Sequence, residues 1–202
     1  MLYELPALEH HDAAAVGEAV ALLRDHGEGA VVIAGGTDLL GLLKDRVQGP
    51  GLPLPRVLVN VKPIPALGSV IEPPDGNLRI GAAVTLARLA QHGVLGRRYP
   101  ALVQAALLVG STPLRALGTI GGNLLQRPRC MYFRHPDFPC FKKGGRTCFA
   151  AAGEHRDYHA ILARGRCVMA HPSDLAPVLL ALDAEAVLAG PEGESTVALR
   201  RL

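Results

Sequence analysis

One stretch, AVVIAGGTDLLGLLKD at residues 30–45, restricts the fold more than any other. Residues 30–34 are apolar and rich in β-branched side chains, which predicts a buried strand. Gly35 and Gly36 end that pattern. Thr37 then opens an apolar-periodic run through Leu39, Leu40, Leu42 and Leu43, which predicts a short helix with Thr37 as its N-cap. A strand, a tight glycine turn and a helix start together leave several backbone amides without an internal acceptor. Such a corner suits a phosphate, because the amides and the helix dipole both favour an anion and glycine lets the backbone come close. The alternative is an ordinary corner in which Gly-Gly serves only the turn. The stretch lacks the third glycine of a dinucleotide fingerprint and the GK[ST] of a P-loop.

A second glycine-rich stretch, GSTPLRALGTIGGN at 110–123, has neither helical nor strand period. It is too apolar for a flexible linker and too rich in glycine for a helix, so a second tight backbone cradle is expected. With aromatics at 4% and no Trp, the core must be built from Ala, Leu and Val.

The remaining elements follow from patterning. A short edge strand is expected at 3–5 and a helix from Asp12 to His26, stopped by Gly27. Residues 48–55, with three prolines and two glycines, form a loop, and RVLVNV at 56–61 forms a strand. These pieces make a small β-α-β-α-β subdomain over 1–62. Pro63 and Pro65 mark the joint to a larger α+β subdomain, 63–202. That part should hold a hairpin over 69–72 and 78–82 turned at PPDGN, and a helix from Thr85 to Gln91. A buried helix over 101–109, a short strand at 167–170 and a helix over 175–182 capped by Ser173 follow. A closing hairpin spans 184–189 and 195–199.

Residues 126–166 read as an insertion with no sustained period, held by something other than secondary structure. Between Arg115 and Arg166 there are ten Lys and Arg against three acids, which calls for an anionic partner. The four cysteines, Cys130, Cys140, Cys148 and Cys167, lie in or just beyond this segment with spacing C-x9-C-x7-C-x18-C. Four readings compete. Disulfides need an oxidising compartment, and the N-terminal residues show no export signal. Structural zinc normally uses close Cys knuckles, absent here. Unligated core thiols fit poorly in basic loop sequence. An iron–sulfur cluster is anionic and suits the local cations, although the spacing matches neither common ferredoxin pattern.

The combination of AGGTDLL at 34–40 with LRALGTIGGNLLQR at 114–127 resembles the FAD-binding subunit of the molybdenum hydroxylases, the xanthine dehydrogenase family. QRPRCMYF at 126–133, Pro139-Cys140, Thr147-Cys148 and CVMAHPSD at 167–174 are similar to the bacterial aldehyde oxidoreductase branch, whose FAD subunit carries a [4Fe–4S] insert. The resemblance covers essentially the whole chain. It implies the two-subdomain α+β FAD-binding fold of the vanillyl-alcohol oxidase and molybdopterin dehydrogenase type, with the family's C-terminal domain absent. It also implies FAD contacts from Ile33, Ala34, Gly35, Gly36, Thr37, Asp38 and Leu39. A second wall would come from Ser111, Thr119, Ile120, Gly121, Gly122 and Asn123, with Asp174 near the flavin's sugar or ribityl chain. Cys130, Cys140, Cys148 and Cys167 are then the ligands of the [4Fe–4S] cluster. Pro113 and Ala116 stand where the family's second motif often has Gln and Asn, so the resemblance does not carry those two contacts over.

The implied function is electron transfer within an aldehyde or xanthine-type oxidoreductase, with no acid–base catalytic residue on this chain. Its partners would be a large subunit with the molybdenum cofactor and a small subunit with [2Fe–2S] clusters, in a hetero-oligomer. The chain is expected to be cytoplasmic, or periplasmic if a partner carries the export signal, and not to insert into a membrane. Two other readings remain: a stand-alone flavin reductase of the same fold, and a zinc-containing nucleic-acid-binding module. The scarcity of aromatics and the lack of a known motif spacing argue against the last.

Overall fold

The computed structural model describes residues 4–74, 76–155, 159–162 and 165–202. Strand β1 (Glu9–Asp12), helix α1 (Val16–His26), strand β2 (Ala30–Ile33), helix α2 (Leu39–Lys44) and strand β3 (Val57–Asn60) form the first unit in that order. The sheet is parallel, ordered β1-β3-β2, and both Glu9 and Ala30 lie level with Val57. The middle strand of a covered parallel sheet must be apolar, and Val57, Leu58 and Val59 are all buried. Helix α1 closes one face, with Ala19 packed in the cluster of Val57, Val59 and Ile64.

Three expectations fail here. Tyr3 lies outside the described residues, and Glu4 and Leu5 form no strand. The edge strand is instead the polar EHHD of β1, and the first helix starts at Val16 rather than Asp12. An exposed edge needs only backbone pairing on one side, so no apolar alternation marks it. Thr37 also falls short of the cap: α2 begins at Leu39, with Asp38 at the N-cap position and no capping side-chain bond.

Beyond residue 62, β4 (Val70–Ile71) and β5 (Arg79–Ile80) pair antiparallel as expected, around a turn whose Asp75 lies outside the described residues. Helix α3 (Leu86–Gln91) starts where predicted, and the Thr85 hydroxyl accepts the Arg88 amide at 3.2 Å. An unforeseen helix, α4 (Gly93–Arg98), precedes α5 (Pro100–Leu108). Helix α5 is not buried all round. Leu102, Ala105 and Ala106 face the core, whereas Leu108 is 80% exposed. The 110–123 stretch folds as two short helices, α6 (Thr112–Leu117) and α7 (Ile120–Leu124), contrary to the expectation that glycine would forbid them. Pro113 sits in the first turn of α6, where its missing amide costs nothing.

Among its described residues the insertion contains α8 (Met131–Arg134) and brief 3-10 turns as its helical elements. The strand expected at 167–170 reduces to a single bridge between Met169 and His159. Helix α9 (Leu175–Ala181) and the hairpin of β6 (Glu185–Gly190) and β7 (Gly193–Ala198) complete the chain as predicted. Leu86, Leu89, Leu95, Leu102, Ile120 and Leu175 form the larger core, joining α3, α4, α5, α7 and α9.

Candidate cofactor site

The first glycine turn lies at the carboxyl end of β2, the end of a parallel sheet where ligands bind. It meets the second glycine stretch directly. A Cβ on Gly35 would sit 2.1 Å from the Leu117 carbonyl oxygen and 2.9 Å from the Gly118 Cα. Gly36 has φ +69°, the left-handed region. One glycine therefore permits the approach and the next makes the turn. The first bond of the following helix runs from the Leu40 amide to the Gly36 carbonyl, 3.0 Å. The amides of residues 37–39 thus precede the ladder and have no helical acceptor.

The second stretch behaves differently. Its amides are spent within the chain: Ile120 on the Val84 carbonyl (2.9 Å), Gly121 on Ala82 (2.9 Å), Gly122 on the Thr119 hydroxyl (3.1 Å) and Asn123 on the Thr119 carbonyl (2.8 Å). A Cβ on Gly121 would sit 2.9 Å from Ala82, so this glycine serves packing. Thr119, Ile120 and Asn123 are buried, while Ser111 and Gly122 are exposed. Over residues 120–123 this wall therefore offers a ligand the exposed backbone at Gly122, with its amides already paired.

The 171–174 segment is tied to that wall. Ser173 Oγ donates to Asn123 Oδ1 at 2.6 Å and accepts the Ala176 amide at 3.0 Å. Ser173 thereby performs the capping expected of it, although Asp174 occupies the position just before α9. Gln126 Nε2 donates to the carbonyls of Asn123 and Pro172 at 3.0 and 3.1 Å. Asp174 is exposed, leaving its carboxylate available to a hydroxyl.

The Asp38 side chain holds the insertion. Its carboxylate accepts the Arg127 amide (2.7 Å), Arg129 Nη1 (3.2 Å) and Arg134 Nη2 (2.7 Å). Arg134 also donates to the Pro128 carbonyl at 2.8 Å. A second tie links the 48–55 loop to the insertion, through the Gly51 amide and the Lys143 carbonyl, 2.9 Å. Leu42 of α2 packs with Cys130, Phe133 and Cys140. The elements that position the glycine turn therefore also position the cysteines.

The four cysteines are free thiols, and all of them line one small cleft, together with Phe133, Phe149 and Met169. Among the described residues, no three His, Cys, Asp or Glu side chains converge closely enough to grip a single metal ion. Tetrahedral zinc needs such convergence; a multi-iron cluster spans a wider thiolate frame. Burial pushes the Cys167 thiol up; Cys148 and Cys130 reinforce this, while a Met169 backbone bond and Lys142 oppose it. Lys143 is fully buried, and its ammonium donates to the His135 carbonyl at 2.6 Å. Desolvation pulls it below the ordinary lysine range, against the pull of Cys140 and Asp137.

The aromatics are few, but all four phenylalanines, 133, 138, 141 and 149, fall in the insertion. Phe138 packs edge-on against Tyr132 and Phe149, with centroids 5.1 and 5.2 Å apart. They form an inner wall rather than a stacking surface for bases. Sequence reasoning did not separate His159 from the other insertion histidines, and its Nε2 lies 3.2 Å from Cys130 Sγ.

The sequence profile of the FAD binding domain in molybdopterin dehydrogenase matches residues 6–202. The chain belongs to that family, and its fold is the family's mixed helix-and-strand FAD-binding domain. It is 38% identical over 168 residues to the aldehyde oxidoreductase FAD-binding subunit PaoB of Escherichia coli K12, covering 83% of this chain and 51% of that one. It is 35% identical over 120 residues to the carbon monoxide dehydrogenase medium chain of Hydrogenophaga pseudoflava, covering 59% and 39%. Among solved structures, a reconstituted CO dehydrogenase from Oligotropha carboxidovorans superposes with a TM-score of 0.69 at 25% identity, covering 98% of this chain and 52% of that one. The chain thus spans about half the length of these relatives. No helix among the described residues is long and apolar enough to cross a membrane.

Proposed function

We propose that this chain is the FAD- and [4Fe–4S]-carrying electron-transfer part of a molybdenum-dependent oxidoreductase acting on an aldehyde or xanthine-type substrate. The observation that carries the cluster is the meeting of four free thiols, far apart in sequence, at one cleft in the most cationic part of the chain. Similarity to subunits named for aldehyde oxidoreductase and xanthine dehydrogenase supports the substrate class. It also supports a hetero-oligomer with a molybdenum large subunit and a [2Fe–2S] small subunit.

When bound, FAD and the cluster would take electrons from the molybdenum side and pass them to an external acceptor. The chain's own residues hold and orient. Amides of Thr37, Asp38 and Leu39 meet the FAD diphosphate, with Gly35 and Gly36 keeping the approach open. Gly122 and its neighbours form the opposite wall, and Asp174 accepts a sugar or ribityl hydroxyl. Cys130, Cys140, Cys148 and Cys167 bind the irons, and the surrounding arginines and lysines offset the cluster's negative charge. The diphosphate would lie between a subdomain of residues 1–62 and one of residues 63–202.

Anaerobic addition of an aldehyde to the assembly as isolated tests this reading. Bleaching of the flavin absorption without added mediator is expected. A flavin that stays oxidised while the molybdenum centre is reduced would contradict it.

A further inference from the structure

We propose that His159 donates a hydrogen bond to the Cys130 sulfur and thereby raises the reduction potential of the iron–sulfur cluster; this inference rests on the cluster reading above. Its Nε2 lies 3.2 Å from Cys130 Sγ, and Cys130 is only 7% exposed. His159 does not line the cysteine cleft. It therefore sits behind a ligand instead of competing with the four thiols for iron.

The ring's position is built in. His159 pairs with Met169 in an antiparallel bridge, and the Ala160 amide donates to the Val168 carbonyl at 2.9 Å. These contacts fix the histidine beside the segment that leaves Cys167, so one side chain spans two of the four ligand segments. The chemistry also fixes the tautomer. A metal-bound thiolate is an acceptor only, so Nε2 carries the proton and Nδ1 keeps the lone pair. Nδ1 is buried with no partner among the described residues.

An N–H bond to a ligating sulfur draws off charge that accumulates on reduction, and so favours the reduced cluster. His159 acts through Cys130 and is a tuning residue, not a ligand.

The test is an EPR-monitored redox titration of the assembly as isolated, comparing wild type, His159→Leu and His159→Gln, with iron per chain measured on the same samples. Iron content should hold in both variants. The leucine variant should lower the one-electron reduction equilibrium about tenfold, about 59 mV. Glutamine, whose amide N–H can reach the same sulfur, should restore at least half of that shift, and the flavin couple should not move. An unmoved cluster potential with leucine, equal potentials in the two variants, or loss of iron from both would overturn the inference. Should leucine alone lose iron, pulsed EPR of the wild-type cluster must show an exchangeable proton coupling that deuterium oxide removes, and its absence overturns the inference. Iron-free wild type would instead sink the cluster reading itself.

Discussion

At Gly35 the whole site turns on a missing methyl group. A Cβ there would meet the Leu117 carbonyl oxygen at 2.1 Å, and backbone cannot swing aside as a side chain can. Gly35→Ala should therefore push the two glycine segments apart, costing about 1–3 kcal/mol of stability as overpacking does, and should release FAD. Gly17 in α1 is the matched control: a Cβ there meets nothing within 4 Å. Gly17→Ala should stabilise by about 0.5–1 kcal/mol and leave FAD in place. Urea midpoints and flavin released on dilution distinguish the two variants. Ser173 is the other residue whose role is local and sharp. Its hydroxyl caps α9 and satisfies the buried Asn123 oxygen. Ser173→Ala should cost about 1–3 kcal/mol, the sum of a lost cap and a stranded acceptor, measured by thermal or urea unfolding.

Between elements, Asp38 joins the helix of the glycine turn to the insertion through two arginines and a backbone amide. Both Asp38 and Arg134 are less than one-fifth exposed, so this pair is not screened as surface pairs are. Asp38→Ala should lower stability by about 1.5–3 kcal/mol. Iron and flavin per chain should fall together, because one carboxylate positions both sites; loss of one cofactor with full retention of the other would contradict that coupling.

The same elements show what patterning can and cannot reveal. Strands β2 and β3, the Thr85 helix start and the final hairpin are written in residues that act locally: apolar β-branched runs, a hydroxyl before a helix, a Pro-Glu turn. The β1 edge is not, because EHHD pairs through backbone alone. Nor is α7, where tertiary bonds to Val84 and Ala82 offset the poor helix propensity of Gly121 and Gly122. The convergence of the thiols could be argued only from composition and resemblance, since it depends on Leu42 and Asp38, some ninety residues upstream of Cys130. The exposed carboxylate of Asp174 and the spent amides of 120–123 have no sequence signal.

For the molecule as a whole, two frames meet: a parallel sheet whose glycine turn faces residues 117–118, and a cationic insertion whose four thiols face one cleft. The concentration of positive charge in the insertion makes little sense against solvent, where like charges repel, and good sense around an anionic centre. The most direct measurement is flavin and iron per chain in the anaerobically purified protein. The account predicts one FAD and about four irons, with iron abolished by Cys140→Ser while flavin remains. Full flavin with no iron in the unaltered protein, or zinc in its place, would contradict it.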